Sequence, residues 1–483
     1  MSQEICILPF FGTGHLLPCF QLCNHLTSSN FHVTLLISST LSTSVPSSLH
    51  QHPLFQLTLL PSPPPSPEHH QELAEGLQNI LSNYHRPALP VYAIVDAMMS
   101  WSIDIFKQFK IPTAAFFTSG ACSASMELAV WKAQPFDLKP GEIRSLPGLP
   151  DDMAVTYSDI KRRHHHPPPP PPPEHGFPPP PGRFGRGKRG PPKDGEQPPW
   201  LNETQGATAL LINTCDDLER PFLNYITNYI GKPVYGVGPL LPEQYWKTIG
   251  SVLRDSDFRS NRSSSVTEKE VVQWLDSKPH GSVLYVSFGS EVGPTVEEYA
   301  ELAQTMELCE QPFIWVVQHG SGRPGPPRFG LAEESGSSEP EGYFPHGLDE
   351  RVGGRGLIIH GWAPQLLILS HKSTGGFLSH CGWNSTLEAI GRGIPILAWP
   401  IRGDQHYNAK LVVSYLKLGY MVSEDLSKDV TKDDIIMGIK RLMGDGEVKK
   451  NVEVLSEKFR NGFPRSSVDA LDDFKDFINK RFV

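Results

Sequence analysis

The chain of 483 residues has no run of about 18 consecutive apolar residues, so nothing in it reads as a helical membrane span. Positive charge is not in excess either. Its 43 Lys and Arg stand against 52 Asp and Glu, for a formal net charge of −9, which argues against a general nucleic-acid binder. Disulfide and zinc frameworks are excluded by the cysteines. Cys6, Cys19, Cys23, Cys122, Cys215, Cys309 and Cys381 are odd in number, scattered and without a CxxC pair, which predicts reduced thiols and a cytoplasmic protein. No DxD-type carboxylate pair stands where it would hold a metal against a diphosphate, and Asp151-Asp152 and Asp216-Asp217 read as a turn and a cap. There is no internal repeat. The first apolar run follows no basic stretch and breaks at Pro9 and Gly12, so it reads as a strand rather than a signal peptide. In that setting the Asn-x-Ser/Thr triplets at Asn202, Asn261 and Asn384 carry no glycosylation meaning.

What the chain has in excess is proline, 47 residues, roughly twice ordinary usage. Much of it lies between Arg162 and Pro199. Three histidines, His164 to His166, precede seven prolines, Pro167 to Pro173, and four more follow at Pro178 to Pro181. Arg183, Arg186, Lys188, Arg189 and Lys193 lie among glycines. Neither helix nor central strand tolerates such a run, which predicts polyproline II or disorder. Outside it, 39% hydrophobic and 20% charged residues describe a globular chain long enough for two or three domains.

Ile5 to Leu8 reads as a buried strand, Phe10 to His15 as a glycine-rich loop, and Leu16 to Leu26 as a helix. That is the opening of a Rossmann-like unit. A dinucleotide fingerprint needs a third glycine at position 17, where Leu17 stands, which weakens a nicotinamide reading. His15 follows the carboxyl end of the strand, where α/β sheets place ligands, although spacing alone equally suits a polar loop histidine. Ala93 to Val95 is a further strand ended by Asp96. By itself Asp96 reads as a helix cap, or as a carboxylate reaching a neighbouring loop. Thr113 to Phe117 precedes Thr118-Ser119. Ala209 to Asn213 and Val234 to Val237 close this half. Residues 240 to 267 read as a linker, and Val283 to Phe288, followed by Gly289-Ser290, begins a second half. Phe313 to Val317 and Gly356 to His360 are strands around a Gly/Pro/Glu-rich surface loop from His319 to Gly354. Asp433 to Met443 and Asp469 to Phe482 have helical spacing.

The most informative stretch is WAPQLLILSHKSTGGFLSHCGWNSTLEAIGRGIPILAWPIRGDQ, Trp362 to Gln405. Phe377 to Ser379 reads as the end of a buried strand, His380 to Ser385 as a tight loop, and Thr386 to Ile390 as the start of a helix. Gly382 lets the backbone turn and approach a ligand closely. Asn384 and Ser385 sit where helix N-caps sit. A helix N-terminus offers unpaired N–H groups and partial positive charge, a ready phosphate site. His380 adds a donor, Glu388 an acceptor for ribose hydroxyls, and Trp362 a flat face for a base.

This stretch resembles the signature box of plant secondary-product UDP-glycosyltransferases, the family 1 glycosyltransferases of GT-B fold. The resemblance implies an α/β chain of two Rossmann-like domains facing each other across a cleft. Residues 1–239 would bind acceptor, with 162–199 as an insertion. Residues 268–462 would bind the UDP-sugar, and a helix in 463–483 would cross back onto the first domain. Trp362 would stack on uracil, with Ala363 and Gln365 bonding the uridine. His380, Gly382, Asn384, Ser385 and Ser290 would hold the phosphates, and Glu388 the ribose. Trp383, Asp404 and Gln405 would hold the sugar, with the Thr118 hydroxyl near it. Gly14-His15-Leu16-Leu17-Pro18 matches the family's GHxxP pattern, which makes His15 the catalytic base and Asp96 its partner, with Asp104 as the rival for that place. The activity implied is inverting transfer of glucose from UDP-glucose, without cofactor or metal, by a monomer. The acceptor is a hydroxyl, or an aromatic carbon, of a small lipophilic metabolite such as a flavonoid or phenol. The proline run departs from the family pattern. It reads as a solvated insertion, a lid over the acceptor, or a docking site for a partner module, the last allowing a binding or scaffold protein on the same frame. If 163–199 has no packed core, limited proteolysis of the native protein nicks there first. Strong hydrogen-exchange protection of that segment is the contrary result.

Overall fold

The computed structural model describes residues 3–61, 69–84, 90–161, 195–247, 264–290, 292–318, 343 and 345–482. The chain divides into two compact units. One comprises Met1–Gln134, Pro170–Pro242 and Phe463–Val483, the other Pro135–Pro169 and Glu243–Gly462.

The sheet of the first unit has seven strands in the order Phe55–Leu60, His32–Ser38, Glu4–Leu8, Tyr92–Asp96, Thr113–Phe117, Ala209–Ile212 and Val234–Gly236. All neighbours run parallel. The central strands are near-continuous apolar runs because helices cover both faces. Counted along the chain, the first strand lies between the second and the fourth. Leu8 therefore sits in register with Val95, and the loops leaving these two strands emerge side by side. Such a reversal of strand order is where open α/β sheets bind ligands. The sheet of the second unit repeats the plan with six strands, Gly356–His360, Phe313–Val317, Val283–Ser287, Thr374–Ser379, Ile396–Ala398 and Gly419–Met421. Here Ser287 pairs with Ser379, so the loops after these two strands are neighbours.

The last helix, Arg465–Phe482, belongs to the first unit, and Leu471, Phe474 and Ile478 are part of its core. Phe474 is fully buried, with Tyr92 and Tyr235 at ring distances of 5.7 and 5.4 Å.

The boundaries differ from the sequence expectation in four places. Residues 135–161, expected in the first domain, cluster with the second unit. Lys410 Nζ pairs with Asp159 at 2.9 Å, Lys417 with Asp152 at 3.0 Å, and the Leu426 N–H donates to Ser158 Oγ. Residues 240–267, expected as a linker, contain a helix, Glu243–Lys247, that anchors in the second unit. The Tyr245 hydroxyl donates to the Glu388 carbonyl, Arg392 lies 4.2 Å over the Tyr245 ring, and Trp246 packs on Phe459 at 5.6 Å. Within 162–199, residues 162–194 lie outside the described residues, and so do the lid and docking-site readings placed on them. The end of that segment is ordered structure. Pro198 is buried, and Pro199 opens the helix Pro199–Glu203 at a position where its missing N–H costs nothing. Of His319 to Gly354, residues 319–342 and 344 lie outside the described residues. Leu348–Val352 is a helix with both end residues buried, not surface loop. Among the described residues no helix is long and apolar enough to cross a membrane.

Because Phe474 fills the space between two tyrosines of the sheet, Phe474→Ala should destabilise the protein by about 3–5 kcal/mol. Chemical unfolding followed by tryptophan fluorescence measures this. A loss below about 1 kcal/mol would show that the last helix is not part of that core.

Candidate active site

Each unit carries polar side chains where its strand order reverses. In the first unit the chain leaves Glu4–Leu8 through a short loop, and Gly12 caps the helix Thr13–Ser28. The His15 N–H donates to the Gly12 carbonyl, which puts His15 in the first turn. Asp96 ends the adjacent strand. Its Oδ1 accepts the Met98 N–H at 2.9 Å and its Oδ2 lies 2.8 Å from His15 Nδ1. The cap and the reaching carboxylate, alternatives in the sequence, are thus the same residue. Asp104, the rival, lies exposed on the helix Ile103–Gln108.

A carboxylate only accepts, so the proton belongs on Nδ1 and the lone pair on Nε2. The side chain of His15 is 27% exposed while that of Asp96 is 1% exposed, which leaves the imidazole reachable and its partner shielded. Phe10 meets the imidazole edge-on at 5.0 Å. Thr118, given to the sugar by resemblance, places its Oγ1 3.0 Å from the same His15 Nδ1.

In the second unit, Thr374–Ser379 delivers the loop His380 to Gly382, and Cys381 takes a left-handed φ of 60°. That uncommon conformation is fixed on both sides. The Cys381 N–H donates to Ser379 Oγ, and its carbonyl accepts from Asn408 Nδ2 at 3.0 Å. Asn408 is fully buried on the helix Gln405–Lys410, and nothing in its spacing pointed to this role. Gly382 was expected to make room for a ligand. A Cβ there would instead lie 2.4 Å from His380 Nε2, and one on Gly289 would lie 2.8 Å from it. Both glycines make room for the imidazole. Burial pushes the His380 pKa down to about 4, against a slight opposing pull from the Ser287 backbone, so the ring is neutral near pH 7. The exposed Ser290 follows Gly289, whose φ is 75°.

The helix Trp383–Gly391 is capped by Gly382, not by Asn384 or Ser385. Those two residues, with the buried Trp383, make up its first turn, so their backbone N–H groups belong to the positive end. Gln365, expected at the uridine, has its amide committed within the protein. Nε2 donates to Ser385 Oγ at 2.9 Å and to Glu388 Oε2 at 2.7 Å, while Oε1 accepts from the Tyr285 hydroxyl. Glu388 is buried, and in this structure its carboxylate meets Gln365. The half-buried Trp362 follows Gly361, whose φ of 85° turns the chain out of the strand Gly356–His360. The Ala363 carbonyl accepts the Gln365 N–H at 2.8 Å.

At the end of the box, Gln405 Oε1 accepts the N–H groups of Ile401 and Arg402, both at 3.0 Å. Its amide therefore keeps only its donor side for a ligand. Asp404 stands at the N-cap position without a side-chain cap bond, and its Oδ2 accepts from Asn408 Nδ2. Among the described residues no group of three or more His, Cys, Asp or Glu is placed to hold a metal ion.

Residues 256–469 match the family model described as UDP-glucoronosyl and UDP-glucosyl transferase. The chain is similar to UDP-glucosyl transferase 73M2 of Saponaria officinalis, with 31% identity over 80% of this chain and 73% of that protein. It is also similar to UDP-glucose flavonoid 3-O-glucosyltransferase 7 of Fragaria ananassa, with 27% identity over 97% and 94%. In fold it resembles the crystal structure of Medicago truncatula UGT71G1 complexed with UDP-glucose, with a TM-score of 0.74, 24% identity, and 99% and 98% of the two chains covered.

The buried neutral His380 has a consequence for stability. Its folded pKa of about 4 lies below the ordinary 6.5, so between these values the unfolded chain binds more protons and stability falls as pH falls. Replacing it by glutamine should remove about 2–3 kcal/mol of the stability lost between pH 7 and pH 4.5, read from urea unfolding at both. Equal acid sensitivity of parent and variant would contradict a buried neutral ring.

Proposed function

The chain belongs to the UDP-dependent glycosyltransferases, and on that premise we propose that it moves glucose from UDP-glucose onto a hydroxyl of a small lipophilic plant phenol, with inversion. The enzyme class sets aside the scaffold alternative. The carrying observation is the His15 Nδ1–Asp96 Oδ2 hydrogen bond, which leaves Nε2 basic on a ring that solvent reaches. The acceptor O–H gives its proton to Nε2 as its oxygen bonds to the anomeric carbon. The bond from that carbon to the diphosphate breaks, and its electron pair leaves with UDP. Asp96 stabilises the imidazolium that forms. A single displacement inverts the anomeric centre.

Charge on the departing diphosphate is met by the first turn of the helix Trp383–Gly391 and by His380, an arrangement that asks for no metal. Trp362 and Ala363 take the uracil side, and Gln365 shapes that side by holding Ser385 and Glu388. Asp404 offers an acceptor and Gln405 Nε2 a donor, a set that suits adjacent equatorial hydroxyls and favours UDP-glucose over UDP-galactose. The names of relatives support a phenolic acceptor. The Fragaria protein is named for a flavonoid, and a Nicotiana tabacum protein 29% identical over 76% of this chain is named scopoletin glucosyltransferase. We place the enzyme in the cytoplasm, a compartment that suits its seven free thiols.

His15→Ala should lower turnover on an ordinary hydroxyl acceptor by roughly 10²–10⁴-fold while leaving UDP affinity nearly unchanged. Asp96→Asn should slow the reaction as well, by misorienting the ring. Near-normal turnover by His15→Ala defeats the mechanism, and equal turnover of UDP-glucose and UDP-galactose by the parent enzyme defeats the donor assignment.

A further inference from the structure

The helix Asp216–Ile230 is bent. Pro221 lacks an N–H and its ring crowds the carbonyl a turn earlier, and Glu219 takes the non-helical φ −140°, ψ 26°. The Glu219 side chain is fully buried. Its carboxylate accepts the N–H of Ala121 at 2.8 Å and of Cys122 at 2.6 Å. These are the first two N–H groups of the helix Ala121–Ala133, whose N-cap, Gly120, has no side chain to offer them. A carboxylate there also meets the positive end of the helix. Burial pushes the Glu219 pKa up to about 6, against the hydrogen bonds it accepts. Burying a carboxylate is costly, and a serine or aspartate at position 120 would cap the helix without it.

The same turn is held at its other end. Asn213, also fully buried, donates from Nδ2 to the Thr118 carbonyl at 3.1 Å and accepts the Leu240 N–H on Oδ1 at 2.8 Å. Thr118 to Gly120 is thereby clamped between two buried side chains, and the Thr118 hydroxyl it carries lies 3.0 Å from His15 Nδ1.

We infer that Glu219 is a positioning residue for the catalytic base, fixing the Thr118 turn through the first turn of the helix Ala121–Ala133 and so fixing the ring of His15. This rests on His15 being the base. A displaced base slows attack by a weakly acidic hydroxyl and spares an acidic phenol, which loses its proton unaided. A general loss of structure slows both equally.

The test compares 4-methylphenol with 4-nitrophenol as acceptors for the parent, His15→Ala and Glu219→Gln. Glu219→Gln should lose about tenfold in kcat on 4-methylphenol and less than twofold on 4-nitrophenol, with the KM for UDP-glucose unchanged. His15→Ala should show the same split, larger. If His15→Ala splits the two phenols and Glu219→Gln does not, the role of Glu219 is overturned. If His15→Ala shows no split, the base assignment itself has failed. Should Glu219→Gln not fold, Thr118→Val takes its place, since it leaves both Glu219 hydrogen bonds intact and cuts the link to His15. A split there supports the inference and its absence overturns it.

Discussion

The hydrogen bond from His15 Nδ1 to Asp96 Oδ2 joins residues 81 positions apart, and the base proposed for the first unit depends on it. Neither partner could find the other through local structure. They meet because the first strand of the sheet pairs with the fourth, bringing the ends of Glu4–Leu8 and Tyr92–Asp96 together. The glycine loop after the first strand then gives way to a helix at Thr13, directly after Gly12, which presents His15 in the opening turn. Asp96 serves both partners with separate oxygens, one for the Met98 N–H and one for the imidazole. Its burial keeps water from competing for either.

The second unit has the same reversal of strand order around a different electrostatic arrangement. Ser287 lies beside Ser379, and the loops that follow them contain Gly289 and His380 to Gly382. Where the first unit holds a histidine against a carboxylate and leaves it reachable, the second packs one between two glycines and keeps it neutral. A neutral imidazole and a helix N-terminus offer hydrogen-bond donors without the cost of burying a full positive charge. The left-handed Cys381 fits this plan. It turns the chain sharply enough to put the helix Trp383–Gly391 directly after the strand, and Asn408 holds it there.

Much of this was legible in the sequence. The apolar runs ending at Leu8, Asp96, Phe117 and Ser379 are buried on both faces, so their pattern is strong. The box from Trp362 to Gln405 is dense in aromatic, glycine and polar residues whose order has few other readings. What was not legible depends on long-range partners. Gln405–Lys410 looks like any short helix, and nothing in it shows that Gln405 Oε1 holds the backbone of Ile401 and Arg402. Glu219 reads as one more acidic residue in a helix's first turn until the bend at Pro221 turns it inward. Short strands such as Gly419–Met421 carry too few residues for alternation to show. Tyr245 and Trp246 lay hidden in a stretch otherwise rich in serine, and their burial against Arg392 and Phe459 turns a supposed linker into an anchored helix.

The central claim is that Asp96 holds the proton of His15 on Nδ1 and leaves Nε2 unprotonated. Nitrogen-15 NMR of the protein labelled at histidine, with His15→Ala to assign the signals, reads this directly. At neutral pH the account predicts a neutral His15 ring, protonated at Nδ1 and with an unprotonated Nε2, and loss of that tautomer's dominance in Asp96→Asn. A ring protonated at Nε2 alone, or at both nitrogens, would contradict it, because neither form has a lone pair on Nε2 to receive the acceptor's proton.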